Sequence, residues 1–182
     1  MSKQRREQVG WWLATLALCG LALGVRLFGL NWDDGFLLHP DERFILMVAH
    51  DRIHLPHQSW TVLLDPAKSP LNPRADGPDG HPQSYAYGAL PLILLKVMGW
   101  FWGTVTGIPS LSLVQLAHVG RFSSALVDTV TVLLTMLLAR RLYGQIAGML
   151  AGLLAALSVI AIQQAHFFVT DPWTTCFVAL SL

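Results

Sequence analysis

Apolar positions along the chain gather into long runs, separated by one large polar block. Val9 to Leu30 is apolar except for Arg26. Residues 119–139 and 145–169 form two more runs, and a fourth begins at Pro172. A helix needs about 20 apolar residues to cross a bilayer, so the first three runs predict transmembrane helices. The stretch 85–107, YAYGALPLILLKVMGWFWGTVTG, is equally apolar but carries Pro91, Lys96 and several glycines. The polar block from Asn31 to Ser84 holds Asp33, Asp34, Asp41, Glu42, Asp51, Asp65, Asp76 and Asp79, with five of the seven histidines.

Inside that block one helix is legible. Pro40 suits a first helical position, where its missing N–H has no partner to lose. Asp41 and Glu42 then fall in the first turn, where the helix dipole favours negative charge. Over 41–55, Arg43, His50 and His54 share one stripe while Phe44, Ile45, Val48 and Ala49 share another. This pattern predicts a helix lying along a membrane surface. Beyond about Ile53, Pro66, Pro70, Pro73, Gly77, Pro78, Gly80 and Pro82 exclude a long regular element and predict a long loop.

Charge sets the topology. Lys3, Arg5 and Arg6 precede the first run, so residues 1–8 form a cytoplasmic tail and 9–30 an uncleaved first span. Arg140 and Arg141 end the run 119–139 and belong on the same side. An even number of crossings must separate the two, so 85–107 is expected as a juxtamembrane or re-entrant helix. Residues 31–118 then form one outer loop, and Asp171 emerges on the face that carries Asp41.

Composition agrees with a polytopic, all-α integral membrane protein. Only 13% of residues are charged, about half the share of a soluble domain, and the mean hydropathy is +0.49. Net charge is +1 with no basic patch, which gives no footprint for nucleic acid. Cys19 and Cys176 both lie in apolar runs and read as small buried hydrophobes. The last run stops at Leu182 after 11 residues, 172–182, and reads as the start of a further span, hence as the N-terminal piece of a longer protein.

The candidate chemistry is carboxylate chemistry. Asp41, Glu42 and Asp171 sit at span or helix ends on one face, suited to taking a proton from an acceptor hydroxyl. Asp41 and Asp171 would also suit a divalent cation. Asp171 followed by Pro172 is equally a common helix start. Arg26, Lys96 and Arg121 are cations in or near apolar runs, where they face a cavity, a partner or an anion. Asp128 lies seven residues from Arg121, and pairing between them is expected. His50, His54 and His57 have a zinc-compatible spacing, but no further ligand pattern supports it. Trp11, Trp12, Trp32, Tyr85, Tyr87, Trp100 and Trp102 read as an interfacial aromatic belt.

Four stretches in order resemble one family. HPDERFILMVAHDRI, YAYGALPLILL, RFSSALVDTVTVLLTMLLARRLYG and HFFVTDPWTTCFVALSL are similar to the opening segments of GT-C glycosyltransferases that use polyprenyl-phosphate sugars. The nearest likeness is to the bacterial family 39-like enzymes, related to protein O-mannosyltransferases and lipid A aminoarabinose transferases. The resemblance implies a partial GT-C membrane domain over 1–182. It implies inverting transfer of a hexosyl or pentosyl group from a lipid-phosphate donor to an acceptor protein, lipid or glycan outside the cytoplasm, at the cell membrane. Asp41 matches the catalytic acid, Glu42 its partner and Asp171 the second acid. His39, Tyr87, Arg121 and His166 are then expected near the substrate, and some relatives use a divalent metal. Lys96 matches no lysine of the family and is expected either to bind phosphate there or to snorkel from an interfacial helix. Gly88-Ala89-Leu90-Pro91 departs from the family's paired proline. A non-enzymatic transporter or assembly subunit is the rival expectation.

Overall fold

The computed structural model describes residues 3–55, 60–108 and 110–182, and the described residues form helices with no strand. The helices are α1 (Lys3–Leu27), α2 (Pro40–Arg52), α3 (Trp60–Leu64), α4 (Ala89–Thr106), α5 (Leu113–Tyr143), α6 (Gln145–Ala156), α7 (Val159–Ala165) and α8 (Thr170–Leu180). Among them α1 from Gln4, α4 and α5 are long and apolar enough to cross a membrane. The chain is an all-α protein with membrane-length helices.

Two compact units divide it. The first holds the chain to Leu30, Arg121–Phe167 and Asp171–Leu182; the second holds Asn31–Gly120 and Phe168–Thr170.

The first unit is built on α1 and α5, which run antiparallel. The Arg140 guanidinium lies 4.3 Å from the centre of the Trp11 ring. Further along, Arg26 Nε donates to Asp128 Oδ2 at 2.5 Å, and Arg121 Nη1 donates to the Leu30 carbonyl at 2.9 Å. Rising numbers on α1 thus meet falling numbers on α5. A bilayer that takes both as spans receives an even number of crossings by Tyr143. Trp11 is buried with Ala22, Val132, Met136 and Ala156, so this indole belongs to the core and not to the expected belt. Helix α6 packs against α1. On α6, Gly148 and Gly152 have no room for a Cβ, which would strike Trp11, Arg140 or Met136. This small-xxx-small spacing lets helices approach closely where lipid gives no hydrophobic drive.

One expectation is corrected here: Asp128 pairs with Arg26, not with Arg121. The stretch 145–169 is bent: α6 and α7 meet at 56° and together are long and apolar enough for one broken span or a re-entrant loop. No proline or glycine lies at Ala155–Ser158. Kinks arise where a side chain enters the helix ladder, and that side chain is Arg26. It is fully buried. Its Nη1 donates to the carbonyls of Ala22 and Ala156, each at 3.0 Å, and its Nη2 to Ala155 at 3.3 Å. The guanidinium therefore satisfies the Ala156 carbonyl at the end of α6 and adds a second donor to Ala155 O, which also accepts from Ser158 N at 3.4 Å. Its charge suits that helix C-terminus.

The second unit packs α2 against α4. The buried face of α2 is Glu42, Ile45, Leu46, Val48 and Ala49; Phe44 is instead 41% exposed. On α4, Pro91, Leu92, Leu95, Gly99 and Gly103 face inward, while Val97, Trp100, Phe101, Trp102 and Val105 are exposed. Helix α5 starts at Leu113, six residues before the expected 119, because Ser112 and Gln115 cap each other: Ser112 N donates to Gln115 Oε1 at 2.9 Å and Gln115 N to Ser112 Oγ at 3.3 Å. The loop before α4 is tied down. Arg52 Nη1 donates to the carbonyls of Ser84 (3.1 Å) and Pro73 (3.4 Å), and His54 N donates to Pro70 O at 2.9 Å.

Candidate functional site

The approach to Asp41 is a folded turn. Asp33 is consumed within it: Oδ1 accepts from Gly35 N at 3.2 Å and Oδ2 from Leu38 N at 3.4 Å. Leu37 adopts a φ of 51°, a left-handed conformation that costs a non-glycine residue about 1–2 kcal/mol. Such strain is tolerated where surrounding contacts fix it, and Leu37 is buried. His39 then caps α2, its Nδ1 accepting from Glu42 N at 3.3 Å, with Pro40 as the first helical residue.

The two acids of the tip point to different surroundings. Asp41 is exposed. Glu42 is fully buried and its Oε1 accepts from Phe168 N at 2.8 Å. The Phe168 ring lies over Gly120, where any Cβ would collide with it. Glu42 therefore anchors the 168–170 segment to α2, a positioning role. Asp171 follows that segment in the chain. It is exposed in the first turn of α8, one residue inside the helix start instead of capping it.

Tyr87 packs edge-on to Tyr85, with ring centres 5.8 Å apart, and Tyr85 stacks on Phe44 at 6.0 Å. This brings both tyrosines to the first half of α2. Sequence reasoning placed Tyr85 only in the belt. It is buried, and its hydroxyl has no partner among the described residues. Burial first, and Tyr87 second, push the phenol up to about 12. The unfolded chain ionises this group near pH 10. Between those values the folded state holds a proton that the unfolded state has lost, so stability is full below pH 10 and falls as pH rises towards 12. Tyr85→Phe is expected to flatten that fall and to raise stability by up to about 1 kcal/mol, because it removes an unpaired buried donor. Thermal melting at pH 8 and pH 11 checks both.

The remaining candidates are dispersed. His166 belongs to the first unit, with Nδ1 2.7 Å from Ile162 O and Nε2 2.8 Å from Phe28 O. Both ring nitrogens face backbone carbonyls of that unit. Arg121 is buried and bonds to the end of the first span. Lys96 lies against the last turn of α2, where its Nζ donates to His50 O at 3.3 Å. His57 lies outside the described residues. Among the described residues no three His, Cys, Asp or Glu side chains gather in a metal-binding group. No family model, no curated protein and no solved structure matches this chain.

Proposed function

We propose that this chain carries part of the reacting face of a membrane glycosyltransferase. It moves a sugar from a polyprenyl-phosphate donor to an acceptor hydroxyl or amine at the outer face of the cell membrane. The observation that carries this reading is the division of labour at the tip of α2. Asp41 is exposed in the first turn of α2. Glu42 is buried and holds the segment that leads to Asp171. Asp41 orients the acceptor and takes its proton. The acceptor atom attacks the anomeric carbon from the face opposite the phosphate. The carbon–oxygen bond to phosphate breaks, and polyprenyl phosphate leaves with the electron pair. The configuration inverts. Asp171 is the second acid of this reading. The test is transfer from a polyprenyl-phosphate sugar by the enzyme that bears this sequence, with and without Asp41→Asn; undiminished transfer removes Asp41 from the chemistry.

In this reading α4 lies in the interface. Eighteen residues are enough to cross; the antiparallel register of α1 and α5 supports an even number of crossings up to Tyr143, and with it an α4 that does not cross. Its exposed Trp100, Phe101, Trp102 and Val105, away from the buried stripe of Leu92, Leu95, Gly99 and Gly103, give it a broad apolar surface for lipid. Cysteines placed at Tyr87 and Thr106 are expected to label from the same side of the membrane; labelling from opposite sides would overturn this placement.

The transporter reading would need intramembrane charges that line a pathway. Arg26 and Asp128 do not serve it, because the guanidinium is fully buried and bonded on both sides.

A further inference from the structure

The far end of α2 carries a second feature, separate from the acid tip. Asp41 and His50 are nine residues apart, about 13 Å along a helix. There, α2 and α4 enclose a cavity of about 510 Å³, in the range that holds a small ligand or a lipid headgroup with its first methylenes. Its lining combines a basic group, Lys96, His50 and His54, with apolar surface from Trp100, Leu111 and Leu116.

The basic group is assembled so that α2's own C-terminus does not repel an anion. Two of its last carbonyls are covered. Lys96 Nζ takes His50 O at 3.3 Å, and His54 Nε2 lies 3.1 Å from Asp51 O. Lys96 has three donors, so this bond leaves two. His50 Nδ1 is committed to Asp51 Oδ1 at 2.6 Å. Among the described residues, His50 Nε2 and His54 Nδ1 have no partner; because each ring's other nitrogen faces an oxygen, these two donate to an anion when the ring is protonated. The Asp51 carboxylate is the one acid bonded to this cluster in the described residues, and its side chain is 62% exposed, so water screens it more than it screens Lys96. Trp100 in the cavity wall is exposed, as are the next two residues of α4, Phe101 and Trp102, and such aromatic rings settle at headgroup depth.

We propose that this cavity binds the phosphate group of an anionic membrane lipid, with the phosphate against Lys96, His50 and His54 and the first part of the acyl chain along Trp100, Leu111 and Leu116. The site is distinct from the acid tip and stands whether or not the chain transfers sugar.

The test uses the 182-residue chain purified in neutral detergent, with bound lipid counted by native mass spectrometry. The probes are phosphatidylglycerol, phosphatidylcholine and inorganic phosphate. The chain is expected to hold phosphatidylglycerol about tenfold more tightly than phosphatidylcholine, the effect of one charge-assisted contact. Lys96→Gln is expected to abolish that preference and Lys96→Arg to keep most of it. His54 is exposed, so His54→Asn folds in any case and is expected to lower phosphatidylglycerol affinity by about threefold. Unchanged preference in His54→Asn together with Lys96→Gln would overturn the site; if Lys96→Gln does not fold, unchanged preference in His54→Asn alone does so. Complete displacement of phosphatidylglycerol by millimolar inorganic phosphate would overturn the lipid assignment.

Discussion

Asp41→Asn is expected to lower sugar transfer by at least about a hundredfold, the lower end of what a positioned general base contributes, with no loss of folded protein. The two halves of that expectation come from different facts. The carboxylate is exposed, so replacing it by an amide of the same shape disturbs no packed contact. Asparagine still suits a helix start, but it cannot accept a proton from an acceptor hydroxyl. Glu42→Gln is the contrasting variant. Its carboxylate receives the Phe168 N–H inside the protein, so its loss acts on folding and on the placement of the 168–170 segment. Transfer rate and thermal stability, measured side by side, separate the two: Asp41 moves the first alone, and Glu42 moves both. Equal loss of stability in both variants would remove the distinction on which the reading rests.

Removing one partner of the Arg26–Asp128 pair is expected to cost about 3–5 kcal/mol, because a buried charge is left without its counter-ion. Arg26→Leu should exceed Asp128→Asn. Arg26 also holds the carbonyls of Ala155 and Ala156; Ala156 O loses this donor when it goes, while Ala155 O keeps Ser158 N at 3.4 Å. The double variant Arg26→Leu with Asp128→Leu is therefore expected to recover only part of the loss. The charges are gone, but the helix break is still unsupported. Unfolding in mixed micelles measures the cycle. A spin-label distance between positions 146 and 165 reads the bend directly, and is expected to lengthen as α6 and α7 straighten. A double variant that is fully restored, with the bend intact, would show that Arg26 does not hold the break.

The sequence by itself determined where the helices lie and which carboxylates are prominent. Long apolar runs admit only helices in a lipid setting, because every backbone group must be paired within the segment. Proline and two acids in a row specify the start of α2 through interactions a few residues long. The fates of single polar side chains were decided by the tertiary structure. Arg26 and Asp128 are 102 residues apart, and nothing local distinguishes that pairing from the nearer one with Arg121. The bend after α6 has no proline or glycine to announce it, since its cause lies on α1. Trp11 and Trp12 are neighbours of one type, yet Trp11 is 3% exposed and Trp12 51%, because only one faces Met136 and α6. Asp41 and Glu42 read alike in sequence. A helix turns about 100° per residue, and that turn places Asp41 in solvent and Glu42 against Phe168. Local pattern fixes an element; where a side chain from elsewhere breaks it, and which face of it meets another part of the chain, follow from packing.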